Sequence, residues 1–146
     1  MCVYMFSDVF NQFQRFFSVT SVKDTKFLYT CALGFMPRRF DDTNEDRIIY
    51  KEEEEVKEIY FFSEGIIGVG FGLVVNGLNE KDQFIAKKMI GGPNNQCIIG
   101  DHYVVNNCKS QFIYRVQKVA AIGYALTKKF INDVVFPQFP LIRKRI

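Results

Sequence analysis

Residues 57–71 read Lys-Glu-Ile-Tyr-Phe-Phe-Ser-Glu-Gly-Ile-Ile-Gly-Val-Gly-Phe, and no other stretch constrains the fold as tightly. Two short apolar runs flank Ser63-Glu64-Gly65. Aromatic and β-branched side chains suit a pleated, half-buried surface, and glycine reaches positive φ without steric cost. The segment therefore predicts a β-hairpin that turns at Gly65. Upstream, Arg47-Ile48-Ile49-Tyr50 reads as a further strand, joined to the first by the acidic run Glu52, Glu53, Glu54 and Glu55.

The same grain continues through the middle of the chain. Strand-like runs fall at 39–40, 47–50, 58–62, 66–71, 83–89, 97–98, 111–116 and 119–125. Polar or glycine-rich stretches such as 41–46 and Gly91-Gly92-Pro93-Asn94-Asn95 separate them. Short strands punctuated by turns predict a roll, barrel or sandwich. The flanks have a helical period instead. Val3, Phe6, Phe10, Phe13 and Phe17 make one apolar stripe, and after a break at 18–21 Asp24 is placed to cap a helix over 25–35. Phe27, Leu28, Cys31 and Phe35 form the buried face of that helix, which Gly34 and Pro37 end. At the far end Thr127 caps a closing helix over 128–135, which Pro137 and Pro140 bring to a stop.

This reading gives one mainly β domain over 1–146: N-terminal helices at 1–38, an eight-strand antiparallel, jelly-roll-like β-roll at 39–125, and a C-terminal helix at 126–146. Phe27, Tyr60, Phe62, Ile67, Val69 and Phe130 are the expected core. With 16 Phe, 7 Tyr and no Trp, that core is built largely of rings.

Composition excludes several function classes. A net charge of +3, scattered over Arg38-Arg39, Lys87-Lys88, Lys128-Lys129 and Arg143-Lys144-Arg145, makes no stripe for nucleic acid. The longest apolar run, 65–75, is too short and too glycine-rich to span a bilayer, and the first 17 residues lack the pattern of a signal peptide. Cys2, Cys31, Cys97 and Cys108 form no CxxC pair, and His102 is the sole histidine. That argues against a zinc site, against a cupin-type metal enzyme and against a Ser/His/Asp or Cys/His centre. The cysteines read as free thiols in a reducing, cytoplasmic setting, and no enzyme activity is expected.

Several local signals then resemble one family. Phe-Leu-x-x-x-Ala-x-x-x-x-Pro-Arg at 27–38 looks like its helix entering the first strand. Glu58 to Gly65 looks like its third strand, and Ile99-Gly100-Asp101 like the opening of its phosphate-binding cassette. Ala-Leu-Thr-Lys-Lys-Phe at 125–130 looks like the last strand passing into the next helix. Together they resemble the cyclic-nucleotide-binding domains, and the closing segment is similar to the C-terminal regulatory domains of voltage-gated and cyclic-nucleotide-gated potassium channels, including protist ones. The resemblance implies a helix pair, a β-roll and a closing helix. It also implies a cassette that holds cyclic AMP or cyclic GMP, here over Ile99, Gly100, Asp101, His102, Tyr103, Val104, Lys109 and Ser110.

In that family the short cassette helix turns backbone N–H groups toward the phosphate, an arginine grips it with two parallel donors, and a glutamate after the glycine accepts from the ribose. This chain departs from the pattern. Asp101 is one methylene short of the glutamate, or serves simply as a helix cap. Ser110 stands in the arginine slot beside Lys109, and His102-Tyr103 replace small residues. Each lost hydrogen bond to a charged group is worth about 1.5–3 kcal/mol. At about 1.4 kcal/mol per factor of ten, a micromolar site becomes roughly millimolar. The family also closes its pocket with a long final helix, for which 141–146 are too few residues. The expectation is a channel regulatory domain with weak or no nucleotide binding that works through other regions or subunits of the channel. The second reading is a competent sensor with Lys109 or Arg115 on the phosphate.

Overall fold

The computed structural model describes residues 22–41, 48–75, 78–91, 97–117 and 119–139; the expected helix over 3–17 lies outside them. Among the described residues, strands β1 (Met36–Phe40), β2 (Ile48–Tyr50), β3 (Glu58–Glu64), β4 (Ile66–Val75), β5 (Leu78–Gly91), β6 (Cys97–Ile99), β7 (Ile113–Val116) and β8 (Ala121–Thr127) form two antiparallel sheets. Their orders are β1-β8-β3-β6 and β2-β7-β4-β5, the interleaved pattern of a jelly roll. The predicted roll is therefore present.

Successive strand residues face opposite ways, and β3 uses both faces. Tyr60 and Phe62 point into the roll. Their rings meet Phe40 of the same sheet at 5.2 and 5.9 Å, and Tyr60 meets Tyr50 of the other sheet at 5.5 Å. Phe61 points outward, edge-on to Phe35 at 5.8 Å, beneath the helical layer. Ile59, Tyr60, Phe61 and Phe62 are all buried, which explains why this strand reads as a continuous apolar run rather than an alternating one.

The helical layer is α1 (Val22–Gly34) and a closing helix over 128–138. Phe27 of α1 meets Phe139 at 5.5 Å, edge-on. A side chain at Gly34 would run into the Phe130 ring, with atoms 2.6 and 2.7 Å from an added Cβ, so this glycine is there for space. The closing helix continues past Pro137 instead of stopping before it. Residues Ile131–Val135 take a π-helical turn, and the Phe136 N–H donates to the Ile131 carbonyl five residues back. A proline ring clashes with the carbonyl four residues before it in a regular α-helix. The wider turn accommodates the ring, and the helix runs on to Gln138.

Four expectations are corrected. Segments β3 and β4 are not a hairpin: β3 pairs with β6 and β8, whereas β4 pairs with β5 and β7. Gly65, at φ +123°, is the corner where the chain leaves one sheet for the other; a Cβ there would lie 2.7–2.8 Å from Ala121. Among the described residues the consecutive strands that do pair are β4 and β5, whose register brings Val75 opposite Leu78. Helix α1 begins at Val22, ahead of the expected Asp24 cap. Of the expected core, Phe27, Tyr60, Phe62 and Ile67 are buried, but Val69 and Phe130 are half-buried. Val69 sits where the β4–β5 register shifts, and Phe130 lies at the rim of the helical layer.

Two substitutions test this arrangement by denaturant unfolding. Phe62→Ala is expected to cost about 3–5 kcal/mol, because it empties the centre of the roll. Gly65→Ala is expected to cost about 1–3 kcal/mol through backbone strain, and more if Ala121 fails to give way. A midpoint unchanged by either would contradict the geometry of β3 and its corner.

Candidate functional site

The site is built at one of the points where the chain crosses between the sheets, from β6 to β7. Strand β6 ends one sheet, a five-residue helix α2 (Asp101–Val105) follows, and β7 enters the middle of the other. Gly100 starts the crossing at φ +92°. An added Cβ would strike the Tyr50 hydroxyl and lie 2.9 Å from the Glu58 carbonyl, so both the conformation and the space demand glycine. The Tyr50 hydroxyl donates to the Glu58 carbonyl and lies 3.4 Å from that of Ile99, which pins β2, β3 and the cassette start together.

The candidate residues then separate. Asp101 is half-buried and is the first helical residue; the cap is Gly100, with no side-chain cap bond, so the expected capping role for Asp101 is not what forms. His102 is exposed, with Nδ1 3.1 Å from the Asn106 amide nitrogen. Val104 is buried and its N–H donates to the Gly100 carbonyl at 2.9 Å, so that donor faces the helix, not a ligand. Tyr103 is buried with its hydroxyl 3.2 Å from that of Tyr114 on β7.

Ser110 is completely buried. Its hydroxyl donates to the Phe112 carbonyl at 2.6 Å, its N–H to Glu54 at 2.9 Å, and its carbonyl accepts from Glu53 at 2.8 Å. Lys109, exposed, bridges Glu55 in the same short ladder. The acidic run is therefore solvated, as its composition suggests, and is also the backbone partner of the cassette exit. Arg115 alternates away from Tyr114, opposite Ile48 and Gly68, and so does not share the face that meets α2.

Sequence reasoning overlooked the aromatic and ionic lining beside the cassette. Tyr50 meets Tyr114 at 5.3 Å and Tyr60 at 5.5 Å, and Tyr103 meets Tyr114 at 6.2 Å, giving a continuous run of rings from α2 into the roll. At its other end Arg38 grips Glu58 with two bonds, 2.8 and 3.1 Å. The signal was present: period-two alternation in 58–62 puts Glu58, Tyr60 and Phe62 on one face. Burial pushes the Tyr50 phenol well above the ordinary tyrosine value, with neighbouring Tyr60 and Glu58 adding to it. Tyr60 is raised by burial and by the Glu58 charge, and Tyr114 by burial and by its hydrogen bond with Tyr103. Burial likewise raises the Cys31 thiol and pushes that of Cys97 up to about 11.

No protein-family model matches the chain, and no curated protein matches it by sequence. Solved structures do match by fold. The regulatory domain of Toxoplasma gondii PKA, co-crystallised with cAMP, superposes with a TM-score of 0.64 at 12% identity, over 90% of this chain and 44% of that one. The C-linker/CNBHD of zELK channels, crystallised in the presence of cAMP, gives 0.64 at 14% identity over 89% and 56%. A third match is the regulatory subunit of a cAMP-independent protein kinase A from Trypanosoma brucei. It is a triple mutant (Glu to Ala, Thr to Arg seven residues on, and Val to Ala directly after) bound to cAMP in the A site; it gives 0.63 at 12% identity over 98% and 47%. The chain thus has the cyclic-nucleotide-binding-domain fold and spans about half the length of the structures it matches. No helix among the described residues is long and apolar enough to cross a membrane.

Two measurements check the site chemistry. The folded state holds Tyr50, Tyr60 and Tyr114 neutral, so their contribution to stability is complete below about pH 10 and is lost as pH climbs above it. In an alkaline titration their tyrosinate absorbance should appear together with loss of near-ultraviolet dichroism; free ionisation in an intact fold would refute their enclosure. Thiol labelling at pH 8, read by peptide mass, should modify exposed Cys108 first, Cys97 slowly, and buried Cys31 only on unfolding.

Proposed function

We propose that this chain is a regulatory module of the cyclic-nucleotide-binding fold whose cassette takes cyclic AMP and cyclic GMP weakly or not at all, and which acts through contacts with other parts of a larger protein. The observation that carries this reading is Ser110. At the position where the resemblance wants a bidentate cation, a small side chain is fully buried and bonded to the Phe112 carbonyl. The cation beside it, Lys109, is exposed and sits in the acidic ladder. A lysine meets phosphate as a point charge, without the planar fork of arginine. Tyr103 adds to the effect, since its buried ring stands where small residues let backbone approach a phosphate. Tyr103, Ser110 and Gln111 also have the spacing of the three positions changed in the cAMP-bound trypanosome mutant, one of which gains an arginine.

No catalytic step is assigned, and the module is placed in the cytoplasm, with no nucleic acid or membrane insertion by this segment. We take its parent to be a cation or potassium channel, as the sequence resemblance implies. A kinase regulatory subunit is the second reading, favoured by the Toxoplasma and trypanosome matches. Coding sequence upstream tests the channel reading: six membrane-spanning segments there mark a channel, and their absence favours the kinase subunit.

Calorimetric titration tests the module itself. The parent should bind cyclic AMP and cyclic GMP no tighter than roughly 100 μM, or about −5.5 kcal/mol. The variant Asp101→Glu/Tyr103→Ala/Ser110→Arg, which supplies the ribose acceptor, the room and the bidentate donor, should bind at least about tenfold tighter. Micromolar binding by the parent, abolished in Lys109→Ala, would instead establish the atypical sensor.

A further inference from the structure

The structure brings together three segments that are far apart in sequence: the acidic run before β3, the exit of the cassette, and the start of the closing helix. Lys128 joins them. Its backbone N–H donates to the Lys57 carbonyl at 2.6 Å, directly after the last β8–β3 pair, Thr127 with Glu58. Its ammonium group donates to the Asn107 side-chain oxygen and lies 3.4 Å from a Glu55 carboxylate oxygen. The Lys128 side chain is only 17% exposed, whereas Glu55 is 60% exposed. The lysine is therefore laid down against the protein and does not wave in solvent.

Each end of this contact is itself anchored. Asn107 holds a left-handed backbone at φ +54°, immediately before Cys108, whose N–H returns to the Tyr103 carbonyl at 2.8 Å. Two residues further on, Ser110 is bonded to Glu53 and Glu54. On the other side, the Thr127 hydroxyl accepts from the Phe130 N–H at 3.1 Å, which starts the helix at Lys128. The helix that Lys128 opens carries the π turn over Ile131–Val135.

We propose that Lys128 is a positioning residue that latches the closing helix to the cassette exit loop, so that the two move as one unit. The latch goes beyond the proposed function and holds with or without nucleotide. Its consequence is reciprocal: whatever displaces residues 106–110 shifts the closing helix, and whatever engages the closing helix shifts the cassette exit, because one coupling free energy is read from both ends.

Amide hydrogen exchange on the nucleotide-free chain tests this, and so separates it from any failure of the binding prediction. Asn107→Gly is the first variant. Glycine suits the left-handed backbone, so the change removes the side-chain contact without adding strain. It should speed exchange at the Phe136 and Phe139 amides about fivefold, more than twenty residues away, on the scale of one lost hydrogen bond. Lys128→Met should speed the Cys108 and Ser110 amides by a similar factor. The double variant should go no faster than Lys128→Met alone, because that change already removes the contact with Asn107. Amides in the β4–β7 ladder, such as Gly68 and Gly70, should be unchanged. If Asn107→Gly leaves the closing helix as it was, or if all segments speed up alike, the latch is wrong and Lys128 only contributes general stability.

Discussion

Strand β3 carries the structure because it is the only described strand with aromatic residues buried toward both layers. Tyr60 and Phe62 hold the two sheets together through Phe40 and Tyr50, while Phe61 seats the helical layer through Phe35. A fully buried aromatic side chain contributes roughly 1.5–3 kcal/mol relative to exposure, so this one strand holds a large part of the stabilisation of both interfaces. Its two ends carry the constraints that shape everything else. At one end Glu58 offers its carbonyl to Tyr50 and its carboxylate to Arg38; at the other, Gly65 turns the chain into the second sheet.

The cassette depends on that frame more than on its own five-residue helix. A helix so short leaves most of its backbone groups without internal partners and has little stability in isolation. It is held by Tyr50 at Gly100, by the Tyr103–Tyr114 hydroxyl pair, and by the ladder from Ser110 to Glu53 and Glu54. Those restraints engage the Tyr103 hydroxyl, the Val104 N–H and the Ser110 side chain in bonds within the protein. The cassette is well built as a structural joint, and its charge is that of an ordinary surface: one exposed lysine beside an acidic run.

Much of the fold was legible before the tertiary structure. The change from helical to strand-like period near Pro37, and back near Thr127, marks the roll to within a few residues. Buried Phe27, Tyr60, Phe62 and Ile67 announce themselves by their chemistry. The turn at Ile99-Gly100-Asp101 was legible as a break between elements, and it does open a short helix between the sheets, but its arrangement was not legible. Reading residue by residue, Asp101 looks like a cap, Val104 like an available donor and Glu52 to Glu55 like a free turn. Tyr50, Tyr60, Tyr114 and Arg38, which line the interior next to it, come from four other strands.

What the sequence by itself determined were the properties that depend on local chemistry: strand or helix from periodicity, glycine at the two corners Gly65 and Gly100, and a ring-rich core. Only the tertiary structure decided which strands pair. Hydrogen-bonded ladders are made between segments tens of residues apart, and adjacency along the chain does not set them. So the strand–glycine–strand at 58–71 is a corner between sheets, although its local pattern is that of a hairpin. Pro137 shows the same division. Its ring forbids a regular α-helical turn wherever it stands, but whether the helix stops or widens depends on packing against α1, and here it widens.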